Sequence, residues 1–87
     1  MYVTMVDNFM TGWGNAADKT AYLVIECDTQ YQAECIEKAA EDRGEMRRIR
    51  IVDTPPEEED HMQVTYRHFN DLWGSWKKFY VKENDHE

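Results

Sequence analysis

The sequence predicts an α+β fold: a mostly antiparallel sheet of about four strands with one helix packed on one face, in the order β-β-α-β-β. Three observations predict it. The stretch Tyr22 to Val52 reads strand, helix, strand. Alternating apolar runs precede and follow that stretch, and alternation is the mark of a half-buried strand. Only one segment carries helical periodicity, so one helix must cover the sheet.

Tyr2 to Val6 is the first strand. Asp7 to Lys19 is a long connection with Phe9, Met10 and Trp13 among glycines and polar residues. It carries too much glycine for a regular element and too many large apolar groups for a bare linker. Two readings stand: an aromatic-tipped binding loop, or apolar groups that fold back and close one end of the core. Tyr22 to Cys27 is the second strand, with Leu23, Ile25 and Cys27 on one face. Asp28 and Thr29 supply helix-start oxygens, and Thr29 with Gln32 has capping-box spacing. The helix is expected from Gln30 to Arg43, with Ala33, Cys35, Ile36, Ala39 and Ala40 on its apolar arc. Gly44 offers a stop by positive φ.

Met46 to Val52 is the third strand, with Ile49 and Ile51 sharing a face and Arg48 and Arg50 opposite. Asp53 to Asp60 is a turn and charge run, because proline lacks the donor a strand needs. His61 to Phe69 is the fourth strand, with Met62, Val64 and Tyr66 on one face and Gln63, Thr65 and Arg67 on the other. Asn70 to Tyr80 is aromatic-dense and irregular. Residues 82–87 are polar and expected to fray. The whole of 1–87 is expected to be one domain, without repeats.

Charge narrows the partners. Eighteen acids against ten Lys and Arg give −8, which disfavours phosphate backbones and anionic membranes. A charged partner would be basic. No apolar run approaches the roughly 20 residues of a membrane span. Together with the absence of a signal-peptide pattern, this leads to the expectation of a cytoplasmic protein whose Cys27 and Cys35 are small buried groups. The charge is uneven: residues 46–52 hold three arginines and no acid, while 53–61 hold five acids and no Lys or Arg.

No enzyme motif is present: no phosphate loop, HExxH, nucleophile elbow or EF-hand spacing. His61 and His68 are seven apart on an expected strand and so face opposite ways. No catalytic residue, cofactor or metal site is expected. A binding module fits best. Glu34, Glu37, Glu41 and Asp42 on the helix and Glu57, Glu58, Glu59 and Asp60 in the loop could take the places of phosphates on a basic surface, with Phe9 and Trp13 as apolar anchors. Acidic helix faces also commonly serve solubility alone. The alternative is a nucleic-acid face bearing Arg48, Arg50 and Arg67, with Tyr22 and Thr65. Its bland counterpart pairs those arginines with Glu26 and other acids across the strands.

The opening Tyr2-Val3-Thr4-Met5, then Asp7, Phe9-Met10, Gly12-Trp13-Gly14, Val24 to Asp28, the alanine-rich helix and Arg43-Gly44-Glu45-Met46 resemble a family of short, functionally uncharacterised proteins of tailed bacteriophages. The likeness covers residues 2 to 52; beyond Pro56 the two share only an aromatic character. The resemblance implies a non-structural phage product acting inside a bacterium, and no activity comes with it. In size, acidity and single-helix build the chain is similar to anti-CRISPR and other anti-defence proteins. It is therefore expected to bind and inhibit a host protein, foremost a nucleic-acid-handling defence complex. A nucleic-acid-associated regulator is the alternative, and a homodimer through an exposed strand edge is a third reading.

Overall fold

The computed structural model describes residues 1–81; the expected fraying of 82–87 lies outside them. Its sheet is built on β1 (Tyr2–Asp7), which pairs antiparallel with β2 (Thr20–Glu26) on one side and with β3 (Met46–Val52) on the other. The fourth strand, β4 (Met62–His68), lies parallel to β2, so the order is β3-β1-β2-β4. One helix, α1 (Gln30–Glu41), lies on the sheet. The expected α+β class and element order hold, with two antiparallel pairings and one parallel one.

Alternation separates two faces. On the first, Val3, Met5, Ile25 and Cys27 meet Ala33, Ile36 and Ala40 of α1. The helix presents small side chains there, which lets its backbone approach the strands. On the second face Val24, Met62 and Val64 cluster with Tyr2 and Tyr22. Cys27 and Cys35 are both buried, and burial pushes the Cys27 thiol up to about 11. A neutral buried thiol is an inert packing group, because the thiolate is the nucleophile and ligand.

The helix begins as its sequence dictates. Thr29 Oγ1 accepts from the Gln32 N–H at 3.1 Å. The Gln32 side chain accepts from the Asp28 N–H at 2.8 Å, one residue before the cap. The end differs from expectation. α1 stops at Glu41, and Gly44 does not take positive φ. Two short turns end it instead: Arg43 N–H donates to Ala40 O, and Met46 N–H to Arg43 O.

β3 carries a bulge. Thr4 faces Arg50 but Val6 faces Arg47, so Met5 opposes both Arg48 and Ile49. Arg48 sits at φ 54°, a conformation that suits glycine at a bulge and costs other residues. The extra residue puts Met46 and Ile49 on the helix face and turns Arg47 and Arg50 to the other. Arg48→Gly should therefore stabilise the fold by about 0.5–1 kcal/mol, the relieved strain outweighing glycine's extra unfolded-state entropy. Urea unfolding measures this; a loss of stability would mean that the Arg48 side chain makes contacts worth more than the strain.

Because β3 and β4 both run parallel to β2 at opposite edges, residues 53–61 must return the chain across the sheet. They pass on the second face, where the Tyr66 hydroxyl donates to Pro56 O. The Glu58 carboxylate accepts from the Val64 N–H at 3.3 Å, capping the outer edge of β4. After β4, two 3-10 turns, Phe69–Asp71 and Gly74–Lys77, carry the chain back beside α1. Phe69 is buried in the main core, edge-on to Tyr80 at 4.8 Å, and Tyr80 in turn meets Tyr31. His68 Nδ1 caps this segment by accepting from the Asn70 N–H, while its Nε2 faces Asp28 at 3.3 Å.

Candidate partner-binding surface

The connection from β1 to β2 is held by its own hydrogen bonds. Asp7 Oδ1 accepts from the N–H groups of Phe9 and Met10 at 3.0 and 3.1 Å. Thr11 Oγ1 donates to Asp7 O and accepts from the Ala21 N–H. Gly12, at φ 84°, donates to both Ala16 O and Lys19 O. A short 3-10 turn at Gly14–Ala16 buries Ala16. On this frame Phe9 is 72% exposed, Trp13 70% and Met10 41%. The reading that folds them into the core is overturned: the frame needs only backbone, Asp7 and Thr11. Three large apolar groups within five residues form a patch, which is more informative than scattered exposed side chains.

Register sets what surrounds them. Asp7 pairs with Met46 and Thr20 with Met62, so one end of the sheet gathers the end of β1 and the starts of β2, β3 and β4. Asn8 N–H donates to Glu45 O at 2.9 Å, tying the loop to the turn after α1. Thr20 N–H donates to His61 O, placing Asp60 at the same end. The aromatic loop thus lies between the C-terminal turn of α1, with Glu41 and Asp42, and the C-terminal end of the acidic connection.

The other sequence-nominated acids are spread further. Glu34 and Glu37 lie nearer the start of α1, and Glu34 accepts from Gln30 at 3.0 Å. Asp42 is paired with Lys78, so its charge is partly cancelled. Glu57 and Glu59 are exposed, whereas Glu58 is committed to Val64. The helix occupies the first face and the acidic connection crosses the second. The carboxylates therefore make two patches flanking the loop rather than one continuous surface.

The arginine face expected from sequence does not assemble. Arg48 and Arg50 are on β3 and Arg67 on β4, at opposite edges. Register carries Arg50 through Thr4 and Val24 to Tyr66 on the second face, while Arg67 pairs with Ile25 on the first. Tyr22 and Thr65 are likewise split between the faces. The basic residue that does join Arg50 is Arg47, which the bulge turns over. Among the described residues the ion pairs are Arg43–Glu45, His68–Asp28 and Lys78–Asp42, so the expected pairing of these arginines with Glu26 is not made. No group of three or more His, Cys, Asp and Glu side chains gathers to hold a metal among the described residues. No helix there is long and apolar enough to cross a membrane.

Sequence reasoning missed a groove. α1 lies mainly over β3 and β1; Ile25 of β2 is buried in the core, but Leu23 and the Gln63, Thr65 and Arg67 row of β4 stay partly exposed. A cleft of about 350 Å³ lies there, floored by Leu23 and Thr65 and walled by Trp13, Trp76 and Arg43. Comparison of the chain with protein-family models, curated proteins and solved structures finds no match.

Proposed function

We propose that this chain is a small phage accessory protein that binds and blocks a host protein with a basic surface, of the kind that handles nucleic acid in bacterial defence. One observation carries the reading: Phe9 and Trp13 are held out on a hydrogen-bonded frame with carboxylates on either side. Aromatic anchors supply binding energy that exposed charges lack. Flanking carboxylates speed encounter with a basic partner and set its orientation. The cytoplasm of an infected bacterium is the setting this reading requires, and the phage origin rests on the residue pattern of the first fifty positions.

The test is a tagged pull-down from bacterial lysate with and without nuclease, at two salt concentrations, followed by titration of the purified partner. Glu37→Lys with Glu41→Lys reverses two helix charges without touching the core. It should weaken binding more than tenfold, flatten the salt dependence and abolish inhibition. Binding that survives the double reversal would remove the acidic surface from the interface. A partner retained only through nucleic acid would instead favour the Arg47, Arg48 and Arg50 strand.

A further inference from the structure

The groove on the first face differs in chemistry from the acidic surface around it. Its floor is half apolar and half polar: Leu23 on β2 lies beside Gln63, Thr65 and Arg67, which recur at every second position of β4. Alternate residues of a strand are roughly 6.6 Å apart on one face, so these three form a polar row along the cleft. The Gln63 amide and the Thr65 hydroxyl have no partner among the described residues, and Arg67 makes only one bond, to its neighbour's carbonyl Tyr66 O at 3.1 Å. The Arg43 guanidinium is fixed 4.6 Å over the Trp76 ring, with Glu45 and Ser75 holding it from other sides. That leaves two of its five N–H groups free. The cleft therefore offers two indole walls, two amide or hydroxyl readers and two arginines in a body of charge −8.

We propose that this groove binds a nucleotide, with the base against the exposed indole of Trp13 and the phosphate on Arg67 and the remaining N–H groups of Arg43. The inference shares Trp13 with the partner-binding reading but rests otherwise on β4 and Arg43 and on none of the helix or acidic-connection carboxylates; Asp7 is the one carboxylate lining the cleft. Indole faces stack any base, and an arginine fork matches a phosphate in two-bond geometry. Thr65 and Gln63 lie where base or ribose edges can be read. The volume fits: small-ligand clefts begin at about 300 Å³. Net charge selects the size of the ligand. With Arg43 already paired to Glu45, Arg67 and the remaining N–H groups of Arg43 answer a single phosphate, whereas a polyanion would meet the acids around the groove and gain little from counterion release.

The experiment titrates the full chain with the four ribonucleoside monophosphates, with inorganic phosphate, with the corresponding nucleosides and with a ten-residue single-stranded oligonucleotide. Tryptophan fluorescence and backbone amide NMR shifts are the readouts. The proposal expects saturable binding of at least one monophosphate below millimolar concentration. Shifts should centre on Gln63 to Arg67, and the matching nucleoside should bind at least tenfold more weakly. Arg67→Ala, an exposed position, should cost tenfold or more with an unchanged amide spectrum elsewhere, while Arg67→Lys should recover part of it. No saturation by any monophosphate at several millimolar would overturn the proposal. So would tighter binding of the oligonucleotide than of every monophosphate, or affinity unaffected by Arg67→Ala. Loss of the host partner's binding with nucleotide binding intact would sink only the earlier reading.

Discussion

Phe9→Ala combined with Trp13→Ala should reduce affinity for the purified host partner by a factor of about 10³ while leaving the fold as stable as before. Buried aromatic anchors at interface centres cost at least about 2 kcal/mol each when truncated. Two of them amount to about 4 kcal/mol, which is close to three decades in Kd. Nothing comparable is lost within the free chain. Both side chains are about 70% exposed, and the loop that carries them is closed by Asp7, Thr11 and backbone groups that the substitutions leave in place. Exposed substitutions of this kind change stability by about 0.5 kcal/mol or less. Isothermal titration and urea unfolding on the same samples separate the possibilities. A variant that keeps its affinity but loses several kcal/mol of stability would make the two aromatics part of the fold.

The same residues show why the fold was more legible than the site. The strands were readable because alternation is local: Leu23, Ile25 and Cys27 had to share a face, and they do. The start of α1 was readable because Thr29 and Gln32 act across three residues. Arg48 was not, since a bulge is set by register against Met5, forty-odd residues away. One inserted position moved Arg47 to the face expected for Arg48. Alternation groups Arg67 correctly with Gln63 and Thr65, but the face they share is set by register across the sheet, which puts them opposite Arg50, and strand order places β1 and β2 between β4 and β3. The groove needed more still. Trp13, Thr65 and Trp76 meet only because β4 pairs parallel with β2 and the last turns double back beside the helix. Trp13 itself could not be assigned from sequence: glycine-framed aromatics serve as plugs and as anchors, and only the closed hydrogen-bond frame distinguishes the two.

Ala40→Asp should cost the fold about 5 kcal/mol of stability, and the reason lies in how α1 meets the sheet. Ala40 is fully buried, in one cluster with Ile36, Val3 and Met5. An aspartate there brings a carboxylate into a contact made for a methyl group. Overpacking costs about 1–3 kcal/mol. The buried charge, or the protonation needed to remove it, costs several kcal/mol more. The whole stability of a chain of this length is about 4–13 kcal/mol, so a loss of about 5 kcal/mol consumes a large part of it. The neighbouring position gives the contrast. Glu41 is exposed, one residue further along the same helix, and Glu41→Ala should change stability by about 0.5 kcal/mol or less. Ala40→Gly, which keeps the contact small and only loosens the helix, should cost about 1 kcal/mol. Circular dichroism and urea unfolding of the three variants would rank them. An Ala40→Asp chain that folds within about 1 kcal/mol of the parent would mean that the helix does not rest on the strands through its alanine face, and the covered half of the first face would then be a second open surface.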